Sequence, residues 1–311
     1  MANRPIPIDP ELTAVAVKAP VPDMIADQVL PEFPVTGETF KWNEFPVEQS
    51  ITLPDTKVGR KGRTAEVEFG AIEKDGSTED HGLQDTVPIT DKTANPAIDP
   101  EAMAAEMVSQ MVTLAREARV AGVVFSPSNY VPAQVTAYGA GAGWYDEASD
   151  PLEDIEAAID AMIVKPNTLT LGRDGFRALR RHPKLIKAAR SVNSTGEGRL
   201  SIDELRELLD IPTILVGQAH LNLAKPGQAA QIGRVWSGHA SLTYVERIIK
   251  NGKSYSFGAT ARLGGKIAMK TFDPNCGLQG GNTIRVGERI REYVQAKQAG
   301  WLFQNAGAAP V

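Results

Sequence analysis

The stretch from Asp99 to about Val123 constrains this chain more than any other. Asp99-Pro100-Glu101 is a helix start: an Asp to take the first N–H groups, a Pro with φ preset, and an acid in the first turn. Beyond it, Met103, Met107, Met111, Leu114 and Ala118 recur at spacings of four and three, and Val108, Val112 and Ala115 widen the stripe. Glu106, Arg116, Glu117 and Arg119 fall on the other side, so the run is amphipathic. No Pro or Gly interrupts it before Gly122. At 1.5 Å per residue it makes a rod of roughly 33 Å. The pattern predicts a long helix whose core face is Met103, Met107, Met111 and Leu114.

With 311 residues the chain has room for one large domain or two modest ones. Its 42% hydrophobic and 23% charged content suits a globular protein with a real core. A net charge of −5 argues against a dedicated nucleic-acid binder. Cys276 is the single cysteine, which excludes an intramolecular disulfide or a cysteine metal site and fits a reducing compartment. Met1 to Pro10 has neither the basic start nor the apolar stretch of a signal peptide. Residues 120–145 carry no charge, but prolines, serines and glycines break them, so no membrane span is expected and the chain reads as soluble.

Residues 1–35 are rich in proline with isolated Val, Ile and Leu, which predicts an extended arm that packs on its own body or on a neighbour. Residues 36–97 read as a long hairpin, with alternation at 39–42, 48–53 and 64–69. Its turn carries Lys57, Arg60, Lys61 and Arg63, and Glu66, Glu68, Glu73 and Asp75 follow. A basic tip beside an acidic stem suits either a solvated hairpin or one in which the tip of one copy lies on the stem of another. Asp150-Pro151 opens a second amphipathic helix, and 168–171 is a short strand. A basic helix with Arg173, Arg177, Arg180, Arg181, Lys184, Lys187 and Arg190 follows; it reads as a solvated face in preference to a nucleic-acid surface. Ser201 and Glu204 form a capping box. Strands are expected at 213–216, 234–236, 241–245, 255–259, 267–271 and 283–294, and the class is α+β without a βαβ repeat.

No catalytic constellation emerges. His81, His182, His220 and His239 are scattered, Ser126 and Ser237 lack a nucleophile elbow, and the glycines at 139, 141 and 143 follow no buried strand. Asn193 to Glu204 imitates a twelve-residue calcium loop, but Asn stands at its first ligand position and the capping box accounts for Ser201 and Glu204 without metal. No metal or cofactor is expected.

Several stretches in order are Glu79-Asp-His-Gly-Leu83, Asp99-Pro100 with its helix to Phe125, Lys165-Pro-Asn-Thr-Leu-Thr-Leu-Gly172 and Leu179-Arg-Arg-His-Pro183. They continue with Ile214-Leu-Val-Gly217, Arg234-Val-Trp236 and Val286-Gly-Glu288. With this order of elements the chain resembles the major capsid proteins of tailed bacteriophages with the Hong Kong 97-type fold. The resemblance implies a shell subunit: residues 1–35 as N-arm, 36–97 as E-loop, 98–164 as peripheral domain with the spine helix, 165–265 as axial domain, and 266–311 as strands returning to the periphery. It implies pentamers and hexamers enclosing double-stranded DNA in a virion assembled in the host cytoplasm. Partners would be further copies, a separate scaffold and protease, a portal and decoration proteins, without a membrane. Some relatives cross-link Lys to Asn between subunits; Lys57, Lys61, Asn275 and Asn282 have the chemistry, but nothing selects them. Encapsulin nanocompartments share the fold and are the rival shell reading; a calcium- or small-molecule-binding α+β domain is the other.

Overall fold

The spine helix α3 (Pro100–Val124) forms as its start signal dictates: the Asp99 carboxylate accepts from the N–H of Glu101 at 3.0 Å and of Ala102 at 3.3 Å. The computed structural model describes residues 11, 24–44, 51–53, 56–58, 60, 62–64, 66, 72–94, 99–139, 141–190, 198–225, 227–246 and 255–307. Before α3 come α1 (Ala26–Val29), β1 (Glu32–Val35), β2 (Thr39–Glu44), β3 (Ile72–Ser77), β4 (Glu79–Pro88) and α2 (Ile89–Ala94). After it come β5 (Val135–Ala137), α4 (Pro151–Ala161), β6 (Thr168–Gly172), α5 (Arg173–Arg181), α6 (Pro183–Arg190), α7 (Ile202–Leu209) and β7 (Thr213–Gly217). The remaining strands are β8 (His220–Asn222), β9 (Ile232–Arg234), β10 (Gly238–Thr243), β11 (Gly258–Leu263), β12 (Ile267–Asp273), β13 (Gly281–Val294) and β14 (Gly300–Gly307).

Two sheets organise these elements. In the first, β13 is the long central strand: β12 pairs with its first half and β11 with its second on one side, β4 runs along the other, and β1 adds in parallel to β11. The second is mixed, in the order β5-β14-β10-β6-β7. Alternation along its strands gives two buried faces. Leu169, Leu171, Ala240, Leu242 and Phe303 meet α4 to α7 around Trp144, Leu179, Leu185 and Leu205 on one face. On the other, Leu215 and Leu302 meet Trp236, Tyr130, Phe257 and the C-terminal half of α3. The N-terminal half of α3 packs on the first sheet, where Ala104, Ala105 and Val108 join Val87, Ala268, Ile284 and Val286. One helix therefore spans both sheets.

The face of α3 that does this is not the methionine stripe. Met103, Met107 and Met111 are 53%, 58% and 58% exposed, and Leu114 is half-buried. The buried residues are Ala104, Ala105, Val108, Val112, Val120, Ala121 and Val124, with Glu101, Ser109, Arg116 and Glu117 among them. The helix carries two adjacent apolar faces, and only small residues let its backbone lie close to the sheet. The polar residues on the chosen face are held by partners described below, which is why they face inward.

Strand placement differs from the sequence expectation in the hairpin. The partner of β2 is β3, in the register Thr39↔Ser77 to Glu44↔Ile72. Ile51 to Leu53 is not a strand, and most of 64–69 lies outside the described residues. β11 belongs to the first sheet, and β14 sits inside the second between β5 and β10. The parallel ends of β6 and β7, Gly172 and Gly217, receive Trp236: a Cβ on Gly217 would lie 2.2 Å from the indole, and one on Gly172 would lie 2.0 Å from the Trp236 carbonyl oxygen. Glycine is required at both by close approach.

Candidate functional site: the spine junction and the charged hairpin

At the middle of α3 two oppositely charged neighbours leave solvent. Glu117 is fully buried, and its carboxylate accepts from Ile25 N at 2.9 Å, Ala26 N at 2.9 Å and Trp236 Nε1 at 2.6 Å. It thereby caps the start of α1 and fixes the indole that closes the β6–β7 end. Arg116, also buried, pairs with Asp27 and with Glu32 at 2.8 Å, and stands 3.9 Å from Glu288. Arg262 completes the cluster, 2.5 Å from Glu32 and 2.9 Å from Glu288. Burial raises the Asp27 pKa against the pull of Arg116. It works to lower that of Arg116, but Asp27, Glu288 and Glu32 outweigh it and hold the guanidinium above its usual value. Burial also lowers the pKa of Lys266, whose Nζ donates to Ser109 Oγ at 2.7 Å and Thr113 Oγ1 at 3.0 Å. A cavity of about 580 Å³ opens here, lined by Met24, Asp27, Arg116, Arg262 and Lys266. The chemistry is that of a tie: residues 25–32, the spine and the first sheet are clamped by matched charges.

The first turn of α3 is tied similarly. Glu101 accepts from Lys270 Nζ at 2.5 Å, Asn282 Nδ2 at 2.7 Å and Lys92 Nζ at 3.3 Å. Burial would raise its pKa, but these donors prevail and hold it below the usual carboxylate value.

The charged hairpin is partly self-neutralised. Glu73 and Asp75 meet Lys41 across the β2–β3 ribbon, and Lys74 meets Glu44. Where the stem joins the first sheet, Arg291 pairs with Glu79 and Arg289 with Asp80 at 2.8 Å. Towards the tip, Lys57, Arg60, Arg63 and Glu66 are exposed; Lys61 and Glu68 lie outside the described residues. The stem acids Glu73 and Asp75 thus face a cation of their own ribbon.

No group of three metal-binding side chains forms among the described residues. Of the calcium-like loop, Asn193, Thr195 and Glu197 lie outside them, whereas Glu204 is engaged in its capping box, accepting from Ser201 N at 2.6 Å while its own N–H donates to Ser201 Oγ at 3.2 Å. Among the described residues no helix is long and apolar enough to cross a membrane. Sequence reasoning missed the Arg116–Glu117 tie by assigning both to solvent; the available signal was a lone opposite-charge pair in the middle of a helix that is apolar on two faces.

Comparison with known proteins gives this architecture its context. Residues 90–219, which hold the spine helix and much of the second sheet, match the family model described as phage major capsid protein E. The chain is 42% identical over 312 residues to the major capsid protein of Pseudomonas phage JBD67, covering 99% of this chain and 100% of that one. It is 25% identical to the major capsid protein of Burkholderia phage BcepMu over 95% of each. Among solved structures it resembles a phage-related protein from Bordetella bronchiseptica RB50, with a TM-score of 0.76, 25% identity, and coverage of 99% of this chain and 100% of that one. The capsid of cyanophage P-SCSP1u, at a TM-score of 0.58 and 9% identity, covering 90% of this chain and 88% of that one, shares the fold. Spine helix, charged hairpin and two sheets are therefore those of a Hong Kong 97-type shell subunit, and the chain belongs to the family of phage major capsid proteins, structural subunits of the phage head.

Proposed function

We propose that the subunit assembles with further copies into pentamers and hexamers of an icosahedral head that encloses double-stranded DNA, and that it does so without chemistry of its own. The observation that carries this reading is the helix α3 bridging both sheets, with the β2–β3 hairpin rooted on the first sheet by Phe40 and Trp42 against Tyr293. Such a subunit is a stiff plate with an arm and a loop to lay on neighbours. In this reading residues 1–35 are the N-arm, 36–97 the E-loop, the first sheet with the N-terminal half of α3 the peripheral domain, and the second sheet with α4 to α7 the axial domain. Lys57, Arg60, Lys61 and Arg63 at the tip make the inter-subunit contact, with Glu66 and Glu68 beside them and Glu73 and Asp75 held by Lys41 as the stem that carries it. A separate scaffold and protease, a portal and decoration proteins complete the head, which forms in the host cytoplasm.

The test is negative-stain microscopy and sedimentation of the purified protein. Closed shells or capsomers of five and six copies are expected. A sharply defined monomer across all concentrations and salts, with no large particles, sinks the reading. Shells that load a co-expressed enzyme through its C-terminal peptide would replace the viral head with a cargo compartment.

A further inference from the structure

The basic stretch at 173–190 is not uniformly solvated. Arg173 donates to Gln218 Oε1 at 2.6 Å, Arg180 to the Leu200 carbonyl at 2.7 Å while standing over the Phe176 ring, and Arg190 to the Arg199 carbonyl at 2.8 Å. Lys184 pairs with Asp150 at 3.2 Å and donates to the Ala148 carbonyl. Each of these side chains holds a piece of local structure. Arg177 and Arg181 differ. They sit one turn apart on α5, both exposed, and among the described residues neither makes a hydrogen bond or an ion pair. Both line a cleft of about 200 Å³ with Trp144, Tyr145, Glu147 and His182.

His182 is 3% exposed. Its Nε2 lies 3.1 Å from the Asp146 carbonyl oxygen and 3.3 Å from Ser149 Oγ, which ties the ring to the 144–149 segment. Its Nδ1 is buried and has no hydrogen-bond partner; with Nε2 donating to the Asp146 carbonyl, the neutral ring keeps its lone pair on Nδ1. The neighbouring Tyr145 hydroxyl donates to the Asp174 carbonyl at 3.0 Å. Burial raises its pKa, with Arg177, Arg234 and Arg181 acting to lower it and Asp174 to raise it.

We propose that this cleft between α5, the start of α6 and the 144–147 segment is a binding site for one phosphate-type oxyanion, held by Arg177 and Arg181. Guanidinium forks on successive turns match tetrahedral oxyanion geometry. The volume is enough for a phosphoryl group with a few waters, and Glu147 at the cleft disfavours a second anion. Bound there, it joins α5 to the segment entering α4. The phosphoryl group is supplied either by free phosphate or by a nucleic-acid backbone.

Isothermal titration of the purified protein with sodium phosphate at constant ionic strength tests this, against sodium chloride as control and with a twelve-residue oligothymidylate in a parallel arm. Saturable binding is expected with a dissociation constant on the order of 1 mM, weakened at least tenfold in the double variant Arg177→Gln/Arg181→Gln. Both positions are exposed, so an unchanged unfolding midpoint without phosphate confirms that the variant is folded. Binding of the oligonucleotide alone, with the same arginine dependence, supports the site and identifies its source as a phosphodiester. Absence of saturable binding in both arms, or binding equal in wild type and double variant, overturns the proposal.

Discussion

Replacing Glu117 removes the acceptor of three buried donors at once. Ile25 N, Ala26 N and Trp236 Nε1 lie 2.9, 2.9 and 2.6 Å from its carboxylate oxygens, all three residues being buried. In Glu117→Ala each of these buried donors loses its partner. An orphaned buried donor costs about 1–3 kcal/mol, and three are orphaned together here. Against a total stability of about 5–15 kcal/mol for a domain, that shift removes a large share of the folding free energy. Glu117→Gln keeps the size and one acceptor oxygen but turns an amide N–H toward a donor, so its cost falls between wild type and alanine. Guanidinium unfolding of the unassembled subunit, followed by tryptophan fluorescence and far-ultraviolet circular dichroism, reads both. Hydrogen exchange at Ile25 and Ala26 adds a local measure. A loss below about 1 kcal/mol for Glu117→Ala, with protection at Ile25 and Ala26 intact, refutes the tie.

Glu101→Gln destabilises by about 1–3 kcal/mol at pH 7, since charge-assisted bonds to Lys270 and Lys92 are lost. The folded carboxyl has a lowered pKa, so its contribution is present above the ordinary value of about 4.3 and disappears as pH falls through the folded one; a wild-type advantage that does not shrink as pH is lowered contradicts this. Met107→Asp leaves the protein soluble and its unfolding free energy within about 0.5 kcal/mol, because that side chain is 58% exposed; inclusion bodies would show the ridge to be core. Reversing Lys57, Arg60, Lys61 and Arg63 to glutamate yields folded capsomers that assemble poorly by light scattering, and normal assembly would remove the tip from the contact. Gly217→Ala, whose Cβ would meet the Trp236 ring at 2.2 Å, costs about 1–3 kcal/mol by thermal melting.

Long-range organisation was legible where local chemistry is strong. Asp99-Pro100 and Asp150-Pro151 open helices, Ser201 and Glu204 form their capping box, and the strands at 168–172, 213–217, 267–273 and 281–294 follow the expected runs. Which face of α3 is inward was not legible. Both the methionine and the alanine–valine stripes satisfy helical spacing, and the choice is made by the sheet beneath, which accepts only small side chains. The Arg116–Glu117 inversion has the same origin: residues 25–32 supply the partners, more than 80 positions earlier in the chain, and no local pattern announces them. Sheet membership of β11 and β14 likewise depends on pairings between distant segments.

The position of β14 sets a timetable for the nascent chain. Residues 300–307 lie between β10 and β5, so the second sheet is split until they arrive: β6, β7 and β10 assemble first, while β5 has no neighbour. Leu302 and Phe303 of that strand supply side chains to both buried faces. Without this strand both faces stay incomplete, so the two cores beside the second sheet close together on the arrival of one segment.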